Sequence, residues 1–352
     1  MLRFLPARSL LAARLLTSLA VATALLPAKA DSTITDAKAH SGPRFDLQRP
    51  EIKAFVDEVA ERNSLPPAQV KKFLSTAQPQ PKIVELISKP AERVTPWWEY
   101  RDRFLTEERI SQGVEFWKQH RDSFDRIAAE RGVAPEYIIA IIGVETKYGR
   151  IMGRYRVLDA LATLAFDYPP RAEFFRRELE QFLLLTKEES LKVPDALGSY
   201  AGAMGGSQFM PSSYRRFAVD ADGDGKRDLW QNWDDVFAST ANYFRENGWE
   251  TGGPVLSEVE LDPDPTFTID TRNLTPNETV DSLGLKGVHV KAAVPADTPA
   301  LILSAEQKDG PAYRVGFRNF EVITKYNRSV KYAMAVNDLA EAIGQRMRGT
   351  EP

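Results

Sequence analysis

The chain has 352 residues, 43% hydrophobic and 27% charged, with a formal net charge of −3. This length allows two or three domains with an ample buried core, and this composition excludes a disordered chain or a fibre. The absence of cysteine excludes disulfides, thiolate metal sites and a Cys nucleophile, while His40, His120 and His289 lie too far apart in the chain for a zinc-protease helix, so metal chemistry must use oxygen ligands.

Residues 1–30 read as a secretory signal. Arg3, Arg8 and Arg14 precede the apolar run from Leu15 to Leu26, and Ala28-Lys29-Ala30 offers a small-x-small cleavage site. The run is too short to span a bilayer, and no later segment is an uninterrupted apolar stretch of spanning length. Removing the segment takes away four bases and no acid, so the formal charge goes from −3 to −7, which argues against a nucleic-acid partner.

Residues 31–49 are polar and aperiodic and are expected as a linker. Ile52, Phe55, Val56 and Val59 fall at helical spacing, Pro66-Pro67 opens a second helix through Phe73, and Ile83, Val84 and Ile87 mark a third, giving an N-terminal helical domain over 50–109. Residues 110–251 continue helical, punctuated at Gly132, Gly149, Pro169-Pro170, Pro194 and the glycines between 198 and 206. After Gly252-Gly253 the texture turns to short β-prone pieces, Val255–Leu261, Thr266–Ile269, Val288–Val294 and Ala300–Ser304, predicting a small β domain over 252–318. Helical pattern returns over Val330–Met347, so the β domain reads as an insertion and 319–350 completes the preceding core. The expected fold class is mainly α, within α+β.

Three segments could carry chemistry. The first runs from Pro135 to Gly149, where residues 137–144 carry no charge and predict a helix buried on all sides, with Glu145 at its end. A carboxyl at the edge of an apolar helix loses hydration, which raises its pKa and suits it to give a proton near neutral pH. The alternative is a terminal Glu that reaches water or pairs with Lys147. The second is Ser199-Tyr200-Ala201-Gly202-Ala203-Met204-Gly205-Gly206-Ser207-Gln208, whose small residues allow backbone to approach a polar uncharged ligand, or simply connect helices. No Lys-Ser/Thr follows its glycines, so it is not a phosphate loop. The third, Asp220-Ala221-Asp222-Gly223-Asp224-Gly225-Lys226, follows the EF-hand-like D-x-D-x-D-G pattern, with a backbone-carbonyl position at Lys226. Gln231 stands where the closing acid is usual, so Asp234 or Asp235 must close the site; a solvated acidic turn is the alternative.

Together these segments resemble the lytic murein transglycosylase B family, glycoside hydrolase family 103. The motifs are Gly143-Val144-Glu145-Thr146, Leu158 to Leu164, Gly202-Ala203-Met204-Gly205 with Gln208 to Tyr214, the acidic loop, and Tyr326-Asn327 followed by Tyr332 to Val336. The resemblance implies a lysozyme-like helical core and Glu145 as sole acid/base. It implies Ser199 as the residue holding that carboxylate, and Tyr100, Gln208, Tyr243, Tyr326, Asn327 and Tyr332 as cleft residues. Tyr148 stands where Trp is common, Pro170 replaces the first of two arginines and leaves Arg171 alone to meet peptide stems, and one extra residue in 231–235 makes Asp235 the preferred calcium ligand beside Asp220, Asp222, Asp224 and Lys226.

The implied reaction cleaves the β-1,4 bond between N-acetylmuramic acid and N-acetylglucosamine in peptidoglycan, forming 1,6-anhydromuramoyl ends with no organic cofactor. Two competing readings are a hydrolytic muramidase, with Asp159, Asp167 or another acid as second carboxylate, and a non-catalytic peptidoglycan-binding protein. Peptidoglycan glycan strands are the expected partner, assembly with other cell-wall enzymes is compatible with it, and a soluble, monomeric, periplasmic product bearing structural Ca2+ is expected.

Overall fold

The computed structural model describes residues 43–88 and 95–349; the expected signal segment and most of the expected linker lie outside them. Helices α1 (Pro50–Arg62), α2 (Pro67–Leu74) and α3 (Pro81–Ser88) come first, and Pro at the start of α1 and α2 suits the first turn, where its missing N–H has no partner to lose. The end of the expected linker is packed rather than free. Phe45 is buried edge-on against Phe166, and Arg49 pairs with Asp167 at 2.8 Å.

Then follow α4 (Trp97–Asp102), α5 (Glu107–Gln119), α6 (Arg121–Arg131) and α7 (Pro135–Thr146), the short strand β1 (Tyr155–Arg156), α8 (Val157–Asp167) and α9 (Ala172–Glu188). Strand β2 (Leu197–Gly198) pairs with β1, and α10 (Pro211–Phe217) and α11 (Trp233–Glu246) complete this stretch. Helix α7 has the apolar run expected of it, with Ile138 to Ile142 fully buried and Val144 nearly so, and it packs against α5, α6, α11 and α14 (Val330–Gly349). Helices α1 to α3 share this core with α8 and α9. The Gln78 and Gln80 amides donate to Asp159 and Thr163, each at 3.0 Å, and Asn63 donates to Glu180 at 2.7 Å.

Between α11 and α13 (Arg318–Tyr326) the chain forms β3 (Leu256–Leu261), β4 (Glu278–Thr279), α12 (Val280–Gly284), β5 (Val288–Val290), β6 (Pro299–Ser304) and β7 (Tyr313–Gly316). These strands make one antiparallel sheet in the order β4-β6-β7-β3-β5, with Val315 opposite both Ser257 and Ile302. Its core of Leu283, Val288, Ala300, Ile302, Val315 and Phe317 is separate from the main one. The predicted strand at 266–269 is absent: two prolines precede it, and Phe267 instead packs edge-on against Tyr313 at 5.0 Å as a side-chain anchor without a ladder. Strand β7 and helix α12 carried too short a pattern to be predicted.

Candidate active site

Glu145 occupies the last turn of α7. The helix stops because Lys147, Tyr148 and Gly149 all take left-handed backbone angles, with φ of 50°, 58° and 80°. Two of these are not glycine, and such strain persists only where the surroundings impose it. Here Thr146 Oγ1 donates to the Ile142 carbonyl at 3.0 Å and accepts from the Gly149 amide at 3.0 Å. The Tyr148 hydroxyl donates to the Arg109 carbonyl at 2.9 Å, and its ring fills the space a side chain at Gly143 would need. Tyr148 thus locks the turn that follows Glu145.

The Glu145 carboxyl is half-buried, and burial pushes its pKa up to about 7, partly offset by a hydrogen bond from Tyr332. A position at the negative end of a helix acts in the same direction as burial. Tyr332, on α14 and 1% exposed, donates from its hydroxyl to Glu145 Oε1 at 2.6 Å. Its own pKa is driven well above the ordinary value by burial and by Glu145, so it stays a donor. Tyr326 on α13 and Tyr100 on α4 are also raised, first by burial and then by the Glu145 charge, Tyr100 to about 12. Four elements therefore converge on one protonatable carboxyl with a wall of tyrosines.

Two of the predicted cleft tyrosines spend their hydroxyls internally. Tyr326 donates to the Ser207 carbonyl at 2.5 Å and Tyr243 to the Lys325 carbonyl at 2.6 Å, and their rings meet at 4.7 Å. Gln208 sits at φ 49° and donates through its amide to the carbonyls of Met152 (3.2 Å) and Gly205 (2.9 Å). Asn327 ends α13, and its side-chain oxygen is buried with no hydrogen-bond donor among the described residues. The glycine-rich segment is no loose connector: a Cβ on Gly205 would fall 2.3 Å from the Leu229 carbonyl, and one on Gly153 would fall 2.0 Å from Gly198.

Ser199 has a different partner from the expected one. Its hydroxyl oxygen accepts from the Ala203 and Ala201 amides at 3.0 and 3.3 Å, while the hydrogen bond to Glu145 comes from Tyr332. Arg171 stacks on Phe174 and Phe175, 4.3 and 5.2 Å from the ring centres, and makes no ion pair among the described residues. Nothing in these contacts brings it to Glu145. Asp159 and Asp167, the candidates for a second carboxylate, face the N-terminal helices: Asp159 holds Arg156 at 3.2 Å, and Asp167 holds Arg49.

In the acidic loop the carboxylates of Asp220, Asp222 and Asp235 converge, with oxygens within 4.8 Å of one another. Asp235 is fully buried and accepts from the Ala221 and Asp228 amides, each at 2.7 Å. Burial raises its pKa, those amides lower it, and Asp222 and Asp220 raise it again. Asp234 points elsewhere, to Arg126 at 2.7 Å. Asp224 lies outside the cluster and accepts from the Lys226 amide at 2.8 Å. Gly223 and Gly225, at φ 78° and 85°, make the sharp turns. Hard oxygens converging on a point without a cationic side chain among them fit calcium.

Residues 47–341 match the family described as the transglycosylase SLT domain. The chain belongs to that family. The membrane-bound lytic murein transglycosylase B of Escherichia coli K12 is 37% identical over 305 residues, covering 84% of this chain and 82% of that protein. Among solved structures, SltB1 from Pseudomonas aeruginosa is 44% identical with a TM-score of 0.81, over 85% of this chain and 98% of its own. The Escherichia coli Slt35 in complex with calcium is 36% identical with a TM-score of 0.78, over 87% and 96%. Within this SLT fold, Tyr332 as direct partner of Glu145 was not readable from sequence, because 187 residues separate them. Thr146 closes the Gly143–Thr146 motif and Tyr148 lies two residues beyond it, but the role of Tyr148 depends on Arg109 from another helix.

Proposed function

We propose that this protein cleaves the β-1,4 bond between N-acetylmuramic acid and N-acetylglucosamine in peptidoglycan as a lytic transglycosylase, with Glu145 as its single acid/base. Membership of the SLT transglycosylase family supports the reaction class. The observation that carries the residue assignment is a carboxyl near pKa 7, held by Tyr332, at the meeting point of α4, α7, α13 and α14. Glycosidases that use water need two carboxylates flanking the bond. Burial and the Tyr332 hydrogen bond account for the Glu145 shift, with no second carboxylate contributing among the described residues.

Protonated Glu145 gives its proton to the leaving C4 oxygen of N-acetylglucosamine as the C1–O4 bond breaks. The substrate's acetamido group steadies the positive charge at C1. The resulting carboxylate takes the proton from the same muramoyl residue's C6 hydroxyl as its oxygen bonds to C1, closing the 1,6-anhydro ring and restoring the acid. Attack from within one sugar gains from high effective molarity. Tyr332, donating to the ionised form, steadies Glu145 between the two steps. Tyr100, Tyr243 and Tyr326 offer rings for sugar faces, and Gln208, its amide nitrogen spent on Met152 and Gly205, offers its side-chain oxygen to acetamido or hydroxyl groups, with Asn327 beside Tyr326 as a further cleft residue.

The acidic loop supports a structural Ca2+ held by Asp220, Asp222 and Asp235, with Asp224 and the Lys226 carbonyl completing the set. Such an ion would brace the loop between α10 and α11. Glycan strands are the partner, and the wall compartment reached through a secretory signal is the site of action. No helix among the described residues is long and apolar enough to cross a membrane. The deciding experiment is digestion of purified sacculi followed by mass analysis: anhydro ends are one water lighter than reducing ends, and reducing ends alone would replace this reading by hydrolysis.

A further inference from the structure

Among the described residues no side chain of the sheet segment is a partner of Glu145, yet the segment grips α4 and α14, which carry two of its tyrosine neighbours. Arg314 on β7 donates through Nη1 to Asp338 Oδ1 on α14 at 2.7 Å and through Nε to Glu258 Oε1 on β3 at 2.8 Å. Asp338 is buried and accepts through its other oxygen from Arg101 Nε on α4 at 3.2 Å. The Arg314 guanidinium also lies 5.9 Å from the centre of the Trp97 ring on α4. Trp97 is buried and stacks on Tyr100 at 6.4 Å. Trp97, Tyr100 and Arg101 fall at i, i+3 and i+4, on one helix face.

Helix α4 has six residues, too few to hold a helix in water without tertiary support. Its place is therefore set by whatever holds Trp97 and Arg101. The planar guanidinium of Arg314 reaches both, one through its ring contact and the other through the shared Asp338 carboxylate, which a single ammonium could not do.

We propose that Arg314 is a positioning residue for the transglycosylase reaction, holding α4 through Asp338, Arg101 and Trp97 so that Tyr100 stays beside Glu145. The sheet segment is then a brace for the cleft wall. This rests on the reading of Glu145 and Tyr100 as active-site residues, and Tyr100, shifted by burial and by the Glu145 charge, supports their proximity.

The test uses the full chain with Arg314→Met, Arg314→Lys, Tyr100→Ala and the Arg314→Met/Tyr100→Ala double variant. Amide exchange over residues 97–104 should quicken about tenfold in Arg314→Met while α7 keeps its protection, and this readout needs no activity. On soluble glycan strands kcat/KM should fall about tenfold in Arg314→Met, chiefly through KM, and recover in part in Arg314→Lys. Because Arg314 acts through Tyr100, the double variant should be no slower than Tyr100→Ala alone. Additive losses, or unchanged exchange in α4, would overturn the proposal. If Arg314→Met does not fold, Arg101→Gln carries the same readouts from the other side of Asp338. Wild type releasing only reducing ends would refute the transglycosylase reading, leaving the exchange result to decide the brace.

Discussion

In the proposed reaction, Glu145 is the residue on which the chemistry and part of the stability meet. Glu145→Gln keeps the shape but can neither give nor take a proton, so sacculus clearing should fall by at least about 10²- to 10⁴-fold. Its ordinary pKa of 4.5 rises to about 7 in the folded chain. Between those values the folded state keeps a proton that the unfolded state has lost, so wild type loses stability as pH rises, with the full penalty present above about 7. Glu145→Gln escapes it. The variant should match wild type near pH 4 and exceed it at pH 8 by on the order of 3 kcal/mol, read as a pH-dependent gap in unfolding midpoints. A constant gap would place the group in water. Tyr332→Phe removes a donor that favours the ionised form, so the Glu145 pKa should climb by about one unit more. The alkaline limb of the pH–rate profile should move up with it, while the rate on its acidic side drops because the weaker acid is a poorer proton donor to the leaving oxygen.

At the scale of the element, the acidic loop between α10 and α11 makes the clearest case. Three carboxylates converge there, one fully buried. Without a cation they repel one another and favour protonation of Asp235, so calcium should act on stability and leave bond cleavage alone. Binding to the folded state only, at about 100 times the dissociation constant, adds roughly 2.7 kcal/mol. Thermal unfolding with calcium and with chelator should differ in wild type and coincide in Asp222→Ala/Asp235→Asn. Equal midpoints in wild type would leave only an acidic turn. The spacing of Asp220, Asp222 and Asp224 was legible in sequence because an acidic turn is local; the preference for Asp235 over Asp234 came from comparing the loop length with the resembled family, and the structure adds its physical reason, Arg126 drawing Asp234 away.

Over the whole molecule, the acids that could have served a hydrolase instead fasten the N-terminal helices to the core. Asp159 is 2% exposed and shared by Arg156 and the Gln78 amide. Removing one partner of a buried pair leaves the other charge unpaired, so Asp159→Ala should cost about 3 kcal/mol in chemical denaturation. Below its unfolding midpoint the variant should still release anhydro ends at a rate within a fewfold of wild type. Loss of cleavage in a fully folded Asp159→Ala protein would revive the second-carboxylate reading.

What the sequence determined by itself is what local pattern can encode. The all-apolar run of α7, the prolines opening α1 and α2, the alternating aspartates and the change of texture after Gly253 each follow from chemistry within a few residues. Glu145 is marked as a candidate because it ends an uncharged run, and the motif resemblance, not the pattern, singles it out as the expected acid/base. Only the tertiary structure decided its partner, since Tyr332 reaches it from a helix formed far along the chain, after the sheet segment has intervened. It also decided that Ser199 bonds its own turn, that Asp159 and Asp167 serve docking, and that Phe45 is core rather than linker. Those outcomes depend on which helices pack face to face, and packing is settled by burial summed over the whole chain, which no short window contains.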